Sequence, residues 1–296
     1  MPSAMSRRLL HKPGFTLVEL LVVITVIGTL MYMMLPAVNG AREAGRRLQC
    51  MNNLKQYGLA LNAFHNDFGT FPVGNVEPPQ RWINDTGGWW AFHARLLPYL
   101  EAKDIFKLCN FSYQSHCFDW VASQPPGNNP CEMILSTSKC PDDPKKDELY
   151  TDPVYGSYGC SAYFGVMGTT EFANDGILLH GAYNCTISLT QITDGASHTL
   201  IMGERGISDN DYGWPYCGMG DIPNRTGWGD NLMATQFGLS QGCADGTHDF
   251  HFWSYHPNMA LFIWADGSGQ PLTYDIDNTV FQALATRAGG EVVQLP

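Results

Sequence analysis

The sequence predicts an α+β protein in which one long N-terminal helix packs on a β-rich, loop-rich, disulfide-containing globular head. Three observations lead there. Residues 15–38 form an apolar run with one formal charge, Glu19. Residues 37–64 then repeat apolar or small side chains every three or four positions. Beyond residue 69, short apolar runs alternate with turns rich in Gly and Pro.

The run FTLVELLVVITVIGTLMYMMLPAV is 24 residues long, and as a helix it exceeds the roughly 20 residues that span a bilayer core. A secretory signal would have a shorter apolar core and a small-residue cleavage site behind it. Here the small residue, Gly14, stands in front, behind a basic leader with Arg7, Arg8 and Lys12. A carboxylate inside a bilayer costs a few kcal/mol, so Glu19 calls for a partner or a function. Pro36 marks a place where the helix kinks or locally melts.

The helix is predicted to continue past the apolar run. Ala37, Ala41, Ala44, Leu48, Met51, Leu54, Gly58, Leu61 and Phe64 make one stripe, and Asn66-Asp67-Phe68-Gly69 with Pro72 stops it. Its apolar stripe requires a head to cover it. In the head, Ile177–Leu179, Thr199–Met202 and Ala260–Trp264 read as strands between turns. Short helices are expected near Phe92–Ala102 and Asn278–Thr286. The chain therefore divides into a leader (1–14), a transmembrane and assembly helix (15–38), a stalk helix entering the head (39–68) and the head itself (69–296).

Charge is uneven. Residues 1–55 carry a net +5 and the remainder a net −16. An acidic head repels phosphates, so nucleic acid is not an expected partner.

Lys12-Pro13-Gly14-Phe15-Thr16-Leu17-Val18-Glu19 resembles the leader and methylation site of type IV prepilins and type II secretion pseudopilins. The resemblance implies that a prepilin peptidase cuts after Gly14 and that Phe15 becomes the N-methylated N-terminus. It also implies that Glu19 pairs with the terminal amine of a neighbouring pilin-like subunit, since a charge in lipid is tolerated when matched by its opposite. Cys50-Met51-Asn52-Asn53-Leu54-Lys55-Gln56 followed by Phe71-Pro72 is similar to the stalk-to-head junction of pseudopilins. Basic residues flank the span on both sides, and the leader decides the orientation: cytoplasmic leader, single pass through the inner membrane, head in the periplasm or at the cell surface.

A second resemblance rests on His256-Pro257 and Asp266-Gly267, an H-x9-D-G spacing. With it go Ile276-Asp277, the stretch Phe281–Val292, Cys140-Pro141-Asp142-Asp143-Pro144, and Asp194-Gly195-Ala196-Ser197-His198 running to Glu204. Together they resemble a large planctomycete family of prepilin-like proteins with a C-terminal domain of unknown function, sometimes grouped by name with solute-binding proteins. The family supplies architecture and no chemistry. Asn258-Met259 after His-Pro, and the number of Cys, depart from its pattern.

With the head outside the membrane, nine Cys suggest disulfides. None lies in a C-x2-C pair, which argues against zinc. Cys50 on the stalk reads as the odd one out, and at least three bridges are expected among the eight Cys from 109 to 243. Connectivity stays open, with Cys109–Cys140, Cys160–Cys185 and Cys217–Cys243 the simplest guesses.

His248, His251 and His256 alternate sides on a strand and read as structural. The Asp-Gly pairs at Asp175, Asp194, Asp245 and Asp266 are calcium-loop candidates, although tight turns are the ordinary use of that pair; no other cofactor is expected. No G-x-S-x-G, Walker loop, G-x-G-x-x-G or H-E-x-x-H is present, and no enzymatic activity is expected. Three functions compete. The first is a structural pseudopilin or minor-pilin subunit. The second is a membrane-tethered protein binding an extracellular solute or glycan through Trp82, Trp89, Trp90, Trp214 and Trp228. The third is a secreted hydrolase built on Asp142, Asp143 and His256. A sheet with one polar face beside the stalk is expected of the first, a deep aromatic pocket of the second, and converging catalytic groups of the third.

Overall fold

The computed structural model describes residues 16–75, 89–112, 117–125, 127–152, 156–170, 172–180, 186–207, 213–218, 231–242 and 250–291. The chain falls into two units, residues 1–45 and 46–296. Helix α1 (Leu17–Phe68) begins in the first and ends in the second. From residue 17 to 42 every side chain is exposed, so an apolar cylinder faces outward in all directions. The helix is long and apolar enough to cross a membrane. It runs without interruption through Pro36, so no melted turn forms there.

In the second unit α1 buries Cys50, Asn53, Leu54, Tyr57, Gly58, Ala60, Leu61 and Phe64. Leu54, Gly58, Leu61 and Phe64 of the expected stripe are among them. Leu48 is not: it is 65% exposed, and the buried face turns instead on Cys50, Leu54, Tyr57, Leu61 and Phe64. The reason is the polar pair Asn53 and Tyr57, which finds partners in the head and rotates the stripe toward them.

A hairpin of β1 (Leu149–Asp152) and β2 (Gly156–Gly159) stands apart from a five-stranded sheet. That sheet contains β3 (Tyr163–Gly168), β4 (Leu200–Glu204), β5 (Leu232–Ala234), β6 (Met259–Trp264) and β7 (Gly269–Thr273), in the order β5-β3-β4-β6-β7. Only the β3–β5 pair is parallel. Strand alternation sorts its side chains into two layers. Tyr163, Met167, Ile201, Leu261 and Ile263 join the α1 residues in one core. Phe164, Val166, Leu200, Phe262 and Trp264 join Phe281 and Leu284 in another, under α5 (Asn278–Ala283), which Asp277 caps by accepting from the Thr279 and Val280 N–H groups. Both faces are thus covered, and the expected open polar face is not there.

The sequence-predicted strands near 200 and 260 and the helix near 278 form as expected. Residues 92–100 form α2 (Phe92–Leu96) and a 3-10 turn (Leu97–Leu100). Ile177–Leu179 is not a strand but a buried series of bends. Its backbone serves as an acceptor for other segments: Leu179 O takes the Gly74 N–H at 2.8 Å, and Gly176 O takes Arg287 Nη1 at 2.8 Å.

A third core gathers Trp89, Trp90, Trp214, Tyr158, Tyr216 and five Cys around short helices, α3 (Lys103–Leu108) and α4 (Cys117–Ala122) among them. The Trp residues placed as glycan-stacking candidates at 89, 90 and 214 are buried there, because their rings supply core area to a module with little regular structure. Trp82 and Trp228 lie outside the described residues.

Burial of imidazoles sets an acid limit. His93 on α2, its ring against Tyr57 and within 3.1 Å of Tyr163 O, is pushed by desolvation from 6.5 down to about 3; His180 is likewise pushed to about 4. Both folded-state values lie below the ordinary one, so the unfolded chain takes up protons first. Stability is full above pH 6.5 and is lost as pH falls through this window, at about 1.4 kcal/mol per unit of displacement. Buried Asp143, raised to about 6 mainly by desolvation, acts in the opposite sense and offsets part of the loss. The urea midpoint is expected to drop steadily on acidification. A midpoint that stays constant from neutral pH down to the His180 value of about 4 contradicts this.

Candidate functional site

Successive turns of α1 present Arg46, Cys50, Asn53 and Tyr57 along one line, at the i, i+4, i+7, i+11 spacing that shares a helix face. Opposite them, the segment 138–142 runs the other way. Tyr57 Oη lies 2.5 Å from Ser138 Oγ, Asn53 Nδ2 donates to Lys139 O at 2.9 Å, Cys50 is disulfide-bonded to Cys140, and Arg46 pairs with Asp142. Four successive turns of helix are thus stitched to four residues of a five-residue segment, 138–142. This corrects the reading of Cys50 as the unpaired cysteine and of Cys140 as a partner for Cys109. Sequence proximity misled there: the chain folds back to the helix across a sequence separation of 90 between Cys50 and Cys140.

The line continues into a cluster of one buried imidazole and two carboxylates. His256 Nδ1 lies 2.9 Å from Asp142 Oδ2, and its Nε2 lies 3.5 Å from Glu204 Oε1 and 3.5 Å from Cys140 Sγ. Glu204 ends β4, one residue beyond the Gly203–Phe262 pair, where its second oxygen accepts the Leu261 N–H at 3.0 Å in place of a ladder bond. Desolvation raises the Glu204 carboxyl above its ordinary value, and the neighbouring His256 opposes that. Next to it Asp143 accepts from the Lys145 and Ile207 N–H groups at 2.9 and 2.8 Å.

Asp266-Gly267 meets the same helix at Gly58, next to Tyr57. Asp266 Oδ1 accepts from Ser268 N and Oγ, closing a tight turn. Gly267 takes φ +86, and a Cβ on Gly58 would stand 3.0 Å from its Cα. Two glycines are therefore needed where turn and helix touch backbone to backbone.

Segments around 50, 140, 204 and 256, far apart in sequence, thus converge on one face of α1. The convergence has a chemical limit. Cys50, Glu204 and His256 are all buried, and the gap bounded by Cys140, Asp143, Glu204, Ser254 and Tyr255 is too small to hold a water molecule. Asp142 and His256 of the hydrolase candidate do come together, at 2.9 Å, with Asp143 next in sequence and turned instead to the Lys145 and Ile207 N–H groups. Ligand atoms of Cys50, Cys140, Glu204 and His256 lie within 4.8 Å of one another. With the two sulfurs joined, a carboxylate and an imidazole of that group remain as donors, and Asp142 stands beside the same imidazole.

The remaining candidates disperse. Asp175 accepts from Thr169 N and Oγ1, six residues back, and Asp194 from the Gly289 and Gly290 N–H groups near the C-terminal end, so these two carboxylates tie separate segments together, whereas Asp266 closes its own turn. His251 is buried beside Ser240 Oγ. It lies next to bridges at Phe252 and Trp253, not on the strand that was expected to alternate the three histidines. Asp245, His248, Cys185 and Cys243 lie outside the described residues. Arg46 and Tyr57 were missed by the sequence reading; their helical spacing from Cys50 was the available signal.

At the other end of α1, Thr16 caps the helix. Its N–H and Oγ1 donate to Glu19 Oε2 at 2.8 and 2.7 Å, and Glu19 N donates back to Thr16 Oγ1 at 3.3 Å. This reciprocal pattern is a capping box. Gly14 and Phe15 lie outside the described residues.

Residues 11–35 match the prokaryotic N-terminal methylation motif, and residues 39–279 match the family described as protein of unknown function DUF1559. No curated protein and no solved structure matches the chain. The two matches meet within α1, and the second covers all four segments of the junction: this is a prepilin-like chain, and it belongs to the DUF1559 family.

Proposed function

We propose that the mature chain is a cleaved, N-methylated structural subunit, a pseudopilin or minor pilin, of an assembly anchored in the inner membrane, with its head in the periplasm or at the cell surface. The observation that carries this reading is the methylation motif over residues 11–35, continuous with a helix exposed and apolar on every side. Prepilin peptidase removes residues 1–14, and Phe15 supplies the amine that Glu19 of a neighbouring subunit matches. The stitched junction supports the same role, because a head must be fixed to its stalk if packing of the helices is to position the heads. A tethered glycan- or solute-binding protein gains nothing from that motif, and three of its five candidate Trp are buried.

N-terminal mass spectrometry of the membrane-extracted protein tests the reading. The expected terminus is N-methylated Phe15; an intact Met1, or cleavage after the apolar run, contradicts it. Gly14→Leu is expected to leave the full-length precursor as the dominant species, because the peptidase must accommodate a small residue at the cut.

A further inference from the structure

Cys109, Cys117, Cys131 and Cys217 are buried in a single apolar cluster. They arrive there on four different elements. Cys109 ends α3, Cys117 opens α4, Cys131 lies in the 3-10 turn Pro130–Glu132, and Cys217 bridges Trp90. The Cys217 thiol is hydrogen-bonded to those of Cys117 and Cys131, and Cys109 adjoins Cys131 and, more weakly, Cys117. We propose that these four residues are a modification site, oxidised in the mature protein to two disulfides, Cys109–Cys131 and Cys117–Cys217. The inference rests on the reading that the head is exported.

Cys160 lies in the same cluster, but Cys109 and Cys217 adjoin Cys117 and Cys131 instead, and among these four the pairing follows from exclusion. Cys217 touches two sulfurs and can bond only one. Joining it to Cys117, its foremost partner, leaves Cys131 to Cys109, whose foremost neighbour it is. The alternative leaves Cys109 with its weaker neighbour. A metal is the other use of four such thiols, but among the described residues the clusters of three or more ligand atoms within 4.8 Å do not include them. The module also needs covalent ties. Its helices α3 and α4 have six residues each, too few to be stable without packing, and the bridges would close intervals of 22 and 100 residues. Fixing such loops restricts the unfolded chain.

Each bond forms when one thiolate attacks the disulfide of an extracytoplasmic thiol oxidase and the partner thiolate resolves the mixed disulfide. Two protons and two electrons leave the cysteine pair, and the oxidase departs as a dithiol. Burial raises the Cys109 and Cys217 thiols well above their ordinary values, which suppresses the reactive thiolate. Oxidation therefore precedes closure of the module, and the folded chain keeps its bonds sealed.

The test is peptide mapping of the full-length chain, quenched in whole cells with N-ethylmaleimide under denaturing conditions, extracted from the membrane and digested without reduction. Linked peptides joining 109 with 131 and 117 with 217 are expected. Cys131→Ser is expected to leave Cys109 alkylated and the 117–217 link intact. Cys50–Cys140 is the internal reference. If it is bonded while the four cluster cysteines are alkylated, or are linked in the other pairing, this inference is overturned and the export reading stands. If Cys50 and Cys140 are alkylated as well, export itself has failed. Stoichiometric zinc on four free thiols would also overturn the proposal.

Discussion

Glu19→Val is expected to leave membrane insertion and leader cleavage intact and to abolish recovery of the chain in cross-linked multimers with pilin-like partners. Valine makes the span more apolar, so insertion gains, and the proposed cleavage site at Gly14 is untouched. On the function proposed above, what is lost is the counter-charge for the amine of Phe15 on an adjacent subunit. In a low-dielectric setting that attraction is far stronger than in water, and an uncompensated buried charge costs several kcal/mol. Since about 1.4 kcal/mol is a factor of ten in an association constant, assembly falls by orders of magnitude. The capping box adds a control. Glu19 Oε2 already holds the Thr16 N–H and hydroxyl, so removing Glu19 also frays the first turn. Thr16→Ala breaks the hydroxyl contacts and keeps the carboxylate; it is expected to cost about 1 kcal/mol of helix end and to leave assembly near wild type. Assembly of the Val variant at wild-type levels would reduce the helix to a plain anchor.

His256→Leu is expected to destabilise the head by about 3–5 kcal/mol, because it strands two carboxylates beside the helix without their imidazole. Glu204 then keeps only the Leu261 N–H, and Asp142 keeps Arg46. Replacing Glu204 and His256 together, by Leu and Met, is expected to cost less than the sum of the single changes, because the pair's desolvation disappears with it. Guanidinium unfolding of the detergent-extracted chain, followed by tryptophan fluorescence, measures this. Additive losses would show that His256 and Glu204 do not act on one another. A catalytic histidine would give the opposite pattern, with stability unchanged or raised on its removal.

The long helix was legible because its signals are local: an apolar run of bilayer length, then a three-to-four-residue stripe with a clear stop. Strands at 200 and 260 were legible for the same reason. Ile177–Leu179 looked like them, since three apolar residues between turns do not reveal whether their backbone joins a sheet or serves neighbouring loops. The junction was legible only in pieces. Its four segments stood out as motifs, yet nothing in their spacing says that Cys140 reaches Cys50, or that Glu204 and Asp142 flank His256. Sequence counts cysteines and carboxylates, whereas pairing depends on distances that only the closed chain creates. The face of α1 was misread at Leu48 for a related reason. Asn53 and Tyr57 are polar, so an apolar stripe passed them by, although both point inward to partners on the loop.

The order of the stitches along α1 has a mechanical consequence. A pull on the helix from its N-terminal side reaches Arg46 and then Cys50 before it reaches Asn53 or Tyr57. The first strong fastening it meets is therefore covalent. Hydrogen bonds placed first would give way one at a time, like tape lifted from an edge. With the sulfur bridge ahead of them, tension passes directly into the loop at Cys140, and the weaker contacts behind it are shielded from the load.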